Sequence, residues 1–375
     1  MEPAPANQNR PPPVRPPKPD RSLPRLILVA ILLAAVLAGF AYEAGWLTPH
    51  DLTPADFVPA FEGTGARPGF RLNHAKGICV SGSFESNGNG LEVCKATVFS
   101  KGTIPVVGRF SLGGAMPFQT DTLTQVRGLG LQLTAGDGAV WRTAMINFPV
   151  FPLATPQAFY DMLIASRPDP ATGKPEPAKI QAFFAANPET AAALKIIKAQ
   201  PPSAGFADST FHSLNAFIFT SRTGVSTPVR WIFEPAQSAS PAPFAPADDK
   251  NFLFDDLIAQ LAHGPLHWHL ILVVGQPGDP TNDATLPWPP TRRRIDAGTL
   301  TIDQIESEDT SPTALLNFDP LVLPDGIAPS DDPLLSARSA VYSASFTYRS
   351  GAAKPPSAVT PADIQGIESR NHPGG

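Results

Sequence analysis

Residues 129–150, LGLQLTAGDGAVWRTAMINFPV, decide the fold class. Leu129–Leu133 and Val140–Val150 are rich in β-branched and aromatic side chains, and the Gly-rich stretch between them reads as a turn, so two strands are predicted. Upstream, Ile78–Phe84 and Ile104–Phe110 have the same character. Downstream, Thr155 before Pro156 is a cap followed by a first-turn proline, which predicts a helix through Ala165. Asn187 before Pro188 repeats the signal for a helix through Lys198. Strands return at Ala216–Thr220, Val229–Phe233 and His267–Val274. Between the last two, Asp249–His263 has helical spacing and stops at Gly264 and Pro265. Seven or eight antiparallel strands with a helical insertion predict an α+β chain built on a closed barrel. Such a barrel has room inside for side chains or one small ligand.

Composition agrees. Apolar residues at 42% support a sizeable core, while 45 prolines among 375 residues argue for loops and extended segments over a helical bundle. The formal charge of −5 excludes a basic nucleic-acid surface. Residues 1–24 are Pro-rich and polar and read as disordered. Residues 25–47 read as a transmembrane anchor, with no charge from Leu26 to Tyr42. At about 1.5 Å per residue the run crosses a bilayer core of roughly 30 Å. Arg10, Arg15, Lys18, Arg21 and Arg25 precede it; Glu43, Asp51, Asp56 and Glu62 follow, with no Lys or Arg until Arg67. That asymmetry predicts a single pass through a bacterial inner membrane, with the rest of the chain on the periplasmic side. The rival reading is a signal peptide cut after Gly39 and Ala41. Residues 48–60 then form a linker, 61–350 one domain and 351–375 a tail. Cys79 and Cys94 would face an oxidising space, where they form either a disulfide or two small buried apolar residues; both readings stand.

The last long helix, predicted over Leu334–Arg349 after Asp332 and Pro333, stacks Arg338, Tyr342 and Arg349 on nearly one face, since steps of four and eleven residues return there. Four segments now stand in order. They are Arg71-Leu-Asn-His74-Ala-Lys-Gly77, Gly108-Arg109-Phe110-Ser111, Asn147-Phe-Pro149-Val-Phe151, and Phe318-Asp-Pro320 running on through Gly326, Pro329, Arg338 and Tyr342. Together they resemble catalases and the smaller catalase-related peroxidases over most of residues 61–350. The resemblance implies a catalase-like eight-stranded barrel with helical insertions and a C-terminal proximal helix. It also implies haem b, with Tyr342 as the iron ligand, since tyrosine is the axial ligand that general haem chemistry assigns to catalase. Arg338 would be the cation that stabilises the phenolate. His74 would be the distal acid–base group, Asn147 the peroxide's hydrogen-bond partner and Ser111 the group that fixes the imidazole. Arg71, Arg109 and Arg349 would clamp the two haem propionates. An aromatic stacked on the distal face is expected near Phe159 or Tyr160.

The implied function is haem-dependent reduction of hydrogen peroxide with oxidation of small organic donors, with weak catalase turnover. Only residues 350–375 follow Arg349, so no C-terminal helical region, interlocked tetramer or bound nicotinamide is expected, and the more open pocket would admit organic reductants. A homodimer is the expected assembly at most. Two other readings keep the same residues: an exported haem carrier without turnover, which needs no His74–Asn147 pair, and a fatty-acid hydroperoxide lyase or isomerase. His263, His267 and His269 form the one constellation that could suggest zinc; strand histidines beside Trp268 are the plainer reading.

Overall fold

The computed structural model describes residues 22–43, 51–201, 203–238 and 249–371. The chain divides into two units, Met1–Leu52 and Thr53–Gly375. In the first, α1 (Ser22–Glu43) is one apolar helix, and Leu26–Glu43 is long and apolar enough to cross a membrane, a test that a signal sequence also passes. Residues 22–24 belong to this helix. The expected disordered segment through residue 21, the end of the anchor at 44–47 and the first linker residues at 48–50 lie outside the described residues.

The second unit is the barrel and its helices. Its strands are β1 (Gly77–Ser86), β2 (Gly102–Leu112), β3 (Arg127–Thr134), β4 (Val140–Ile146), β5 (Phe211–His212), β6 (Phe217–Thr220), β7 (Ser226–Pro235), β8 (Leu266–Val274), β9 (Arg293–Glu306) and β10 (Ile327–Pro329). Strands β1, β2, β3, β4, β5, β7, β8 and β9 close an antiparallel eight-membered ring through the β7–β8 pairing, and β6 and β10 extend from β7. Five fully buried rings, Trp141, Trp231, Trp268, Phe110 and Phe211, come from five different strands and meet inside the ring. Trp141 and Trp231 centroids lie 5.0 Å apart, and Phe110 and Trp268 5.8 Å. The interior is therefore packed with side chains, not left open for a ligand.

The helices are α2 (Pro54–Glu62), α3 (Pro156–Ala165), α4 (Pro177–Ala186), α5 (Pro188–Lys198), α6 (Phe252–His263), α7 (Pro333–Ser350) and α8 (Pro361–Asn371). Thr155 caps α3 by accepting from Ala158 N at 3.1 Å, and Asp332 caps α7 by accepting from Leu334 N at 2.9 Å. Three readings are corrected. Residues 54–60, read as linker, belong to α2, whose Phe57, Ala60 and Phe61 are buried. The 351–375 segment carries α8, whose Ile364 and Ile367 join the core beside α6. Two ring strands are not among the seven predicted: β5 has only two residues, and in β9 Arg293, Arg294, Asp296 and Asp303 interrupt the apolar alternation, while the predicted β6 lies outside the ring. Cys79 and Cys94 are both buried free thiols, so the disulfide alternative is set aside. Burial pushes the Cys79 thiol up to about 12, and Cys94 up to about 11.

Candidate active site

Because successive side chains on a strand alternate faces, the residues next to the packed interior point outward. On β2, β3 and β4 two cross-strand rows result: Ser111, Gly128 and Ile146 in one, Arg109, Gly130 and Ala144 in the next. These rows form one wall of a cavity. The other walls bring Phe57 and Phe61 from α2, Phe159 from α3, and Arg338 and Tyr342 from α7, with Arg71 and His74 between α2 and β1. Two glycines keep the strand wall open. A Cβ at Gly128 would lie 2.8 Å from the His74 ring and from Ser111 Oγ, and one at Gly130 would lie 2.9 Å from the Phe318 ring.

His74 adopts a left-handed backbone conformation, φ 53°, which is uncommon for a side chain with a Cβ and occurs where surrounding contacts hold it. Asn73 Oδ1 supplies that hold by accepting from both His74 N and Gly114 N at 2.9 Å. His74 Nδ1 and Ser111 Oγ lie 3.0 Å apart, which engages one ring nitrogen and leaves Nε2 for a ligand. Burial, then the charges of Arg109, Arg338 and Arg71, push the imidazole down to about 3, so it is a neutral base.

Asn147 sits just past β4, and its Oδ1 accepts from Arg127 N at 2.9 Å, so its Nδ2 is the side-chain atom left to donate. It does not itself line the cavity, and neither does Arg349. Arg338 hydrogen-bonds Asn215 Oδ1 and donates to Ala144 O at 3.0 Å. Asn215 Nδ2 in turn donates to Asp332 Oδ2 at 2.7 Å, so the capping residue of α7 is tied to Arg338. Arg71 and Arg349 both donate to the carbonyl oxygens of Ala314 and Leu316. Arg71 is pushed down to about 9, chiefly by burial and then by Arg109 and Arg349, and Arg349 to about 10 by burial and then Arg109. Of the two aromatics expected near the distal face, Phe159 lines the cavity. Tyr160 does not, and packs edge-on against Phe57 at 5.7 Å.

Sequence reasoning missed Glu308, Asn215, Asp332 and Asn73. Glu308 and Asn215 have partners far along the chain, while Asp332, read only as a cap, and Asn73, inside a quoted segment, gain their link to the site from Asn215 and Gly114. The histidines weighed for zinc go elsewhere: His267 Nδ1 lies 3.0 Å from Thr301 Oγ1, and His269 faces Asp296 on β9 at 3.4 Å.

The cavity residues fit a haem. Arg71, Arg109, Arg338 and Arg349 crowd buried positive charge around a single buried carboxylate, Glu308, and Arg71 Nε is buried without a hydrogen-bond partner. A flat dianion relieves both conditions, and the phenol of Tyr342 offers a hard oxygen donor suited to ferric iron.

The sequence of residues 64–356 matches the catalase family model, and the chain belongs to the catalase family. Its relatives include two proteins named catalase-related peroxidase. That of Synechococcus elongatus is 37% identical over 86% of this chain and 96% of its own length. That of Mycolicibacterium paratuberculosis is 33% identical over 80% of this chain and 96% of its own. In fold, the chain resembles a fungal catalase (TM-score 0.68, 18% identity, 77% of this chain and 60% of that one). Catalase A from Saccharomyces cerevisiae is similar at TM-score 0.67 and 18% identity, over 76% and 61% of the two chains. The chain thus spans about three-fifths of the solved catalases it resembles and nearly all of the catalase-related peroxidases.

Proposed function

We propose that this chain is a haem-dependent peroxidase that reduces hydrogen peroxide and oxidises small organic donors, with weak catalase turnover. The observation that carries it is the imidazole of His74, held by Ser111 over the same cavity that Tyr342, Arg71, Arg109 and Arg338 line. Tyr342 and the arginines would hold haem b, which would supply the redox iron for reaction with peroxide.

The chain's residues do the proton work. His74 Nε2 takes the proton from the near oxygen of hydrogen peroxide and returns it to the far oxygen, which leaves as water. Asn147 stands just outside the cavity lining with Oδ1 engaged by Arg127 N, so Nδ2 is its donor for a peroxide once the side chain turns toward the cavity. Ser111 keeps Nδ1 engaged so that Nε2 stays the reactive nitrogen. Arg338, braced by Asn215 and Asp332, holds positive charge one turn from Tyr342 and favours its phenolate. Phe57, Phe61 and Phe159 give the cavity an apolar side suited to aromatic reductants.

The test is to titrate the full-length chain with haem b and assay phenol oxidation with hydrogen peroxide. Wild type should turn over, and His74→Ala should bind haem yet slow by about 10²–10⁴-fold. Equal rates in the two would overturn the role of His74. Turnover of a lipid hydroperoxide without a reductant would point instead to a lyase or isomerase.

A further inference from the structure

The chain builds its rings from phenylalanine, 23 against four tyrosines, so an oxidisable phenol is scarce and its place is informative. Tyr42 lies on α1, Tyr342 lines the cavity, and Tyr160 packs edge-on against Phe57. Tyr348 is the fourth. It follows Tyr342 by six residues on α7, a rise of about 9 Å, and is half-buried outside the cavity lining. Its hydroxyl donates to Oε1 of the exposed Glu62, the last residue of α2, at 3.1 Å. The phenol is pushed up to about 12, first by burial and then by Glu62, so it keeps its proton at neutral pH. A surface hydrogen bond adds little as a tie between helices. α2 is already docked by buried Phe57, Ala60 and Phe61, and Arg167 donates to Pro59 O at 2.9 Å.

Resting on the haem reading above, we infer that Tyr348 and Glu62 form a second oxidation site, at the surface, for phenolic donors too large to enter the cavity. A phenol that loses an electron becomes strongly acidic, so the electron leaves readily only where a base stands ready for the proton. Glu62 is that base, already hydrogen-bonded to the hydroxyl. One electron passes from Tyr348 to the peroxide-oxidised cofactor as the phenolic proton passes to Glu62. The phenoxyl left on Tyr348 takes a hydrogen atom from a donor phenol, which restores Tyr348 and releases a donor radical. Glu62 returns its proton to solvent, replacing the one consumed in forming water. Two such cycles per hydrogen peroxide yield two waters and two donor radicals. The positions three and four away on α7 and just past it, Ala344, Ser345 and Gly351, are small, so the helix leaves the ring open to a bulky donor.

The full-length chain in detergent, loaded with haem b, is assayed with hydrogen peroxide and two donors: phenol itself, and a hydroxyphenyl group coupled to dextran. Tyr348→Phe keeps the ring and should oxidise phenol within about twofold of wild type, yet lose the coupled donor about tenfold or more. Glu62→Gln keeps an acceptor for the hydroxyl but no base for its proton, and should show the same split. Tyr160→Phe should match wild type with both donors. After peroxide, a spin-trap adduct mapped by mass spectrometry should sit on Tyr348. In the haem-free chain a photochemical one-electron oxidant should place the adduct there too, and less of it in Glu62→Gln. Coupled-donor oxidation that survives Tyr348→Phe, an equal loss of both donors, or an adduct found only elsewhere would each overturn the inference and leave the haem reading intact. So would a wild-type chain that oxidises phenol but not the coupled donor. One that oxidises neither would overturn both.

Discussion

His74 stands where three constraints meet: a left-handed backbone, a hydrogen bond to Ser111, and a glycine opposite the ring. Gly128→Ala should therefore fold but displace the imidazole, and stopped-flow absorbance should show the peroxide step slowed about a hundredfold, with haem binding kept. The partly buried histidines His74 and His212 also set acid stability. The folded-state values are about 3 for His74 and about 4 for His212, both below the ordinary 6.5, so the unfolded chain takes up protons first as pH falls. Their contribution is complete above about pH 6.5 and is lost as pH falls from there toward the folded values. Haem-free protein should lose stability on the order of 2 kcal/mol per histidine between pH 7.5 and 4.5, read from urea unfolding, and His74→Gln should lose less. At this scale His74, Ser111, Arg71 and Tyr342 were legible because they lie in compact segments. Glu308 was not, because its partner Arg109 lies 199 positions away in the sequence.

Two short helices, one near each end of the second unit's sequence, owe their state to packing. α2 puts Phe57 and Phe61 against Phe159, with centroids 6.0 and 5.9 Å from it, and so builds one side of the cavity. Phe61→Ala should cost about 3–5 kcal/mol in urea unfolding and loosen the apolar side of the cavity; on the proposed function this is seen as a raised KM for phenols. α8 buries Ile364 and Ile367 beside α6, and Ile367→Ala should cost about 2–5 kcal/mol by the same measurement. Neither helix has a long amphipathic signature: one has 9 residues with an internal proline, the other 11 with a glycine. Their helical state is a product of what they pack against. A polar residue before an N-terminal proline opens α3, α5 and α7, which were read, and also α2 (Thr53, Pro54) and α8 (Thr360, Pro361), which were not, so that local signal does not separate the two groups.

For the molecule as a whole, the apolar helix α1 makes membrane attachment a testable proposal. If the anchor is retained, the chain should stay with the membrane fraction through alkaline carbonate washing and leave only in detergent. A mature N-terminus after Ala41 would show a cleaved signal instead. What the sequence by itself determined is the kind of chain: strand periodicity, helix starts marked by proline, an apolar N-terminal run, and four motif segments in a fixed order. These are local properties, written in neighbours within a turn or a strand. Only the tertiary structure decided that the barrel interior is filled by aromatic rings and that the cavity lies on its outer face. It also decided that charged β9 belongs to the ring and that Arg109 is held by Glu308. Each of these depends on which distant groups share a dry space, where an unpaired charge or an empty volume is costly, and no local pattern of side chains records that.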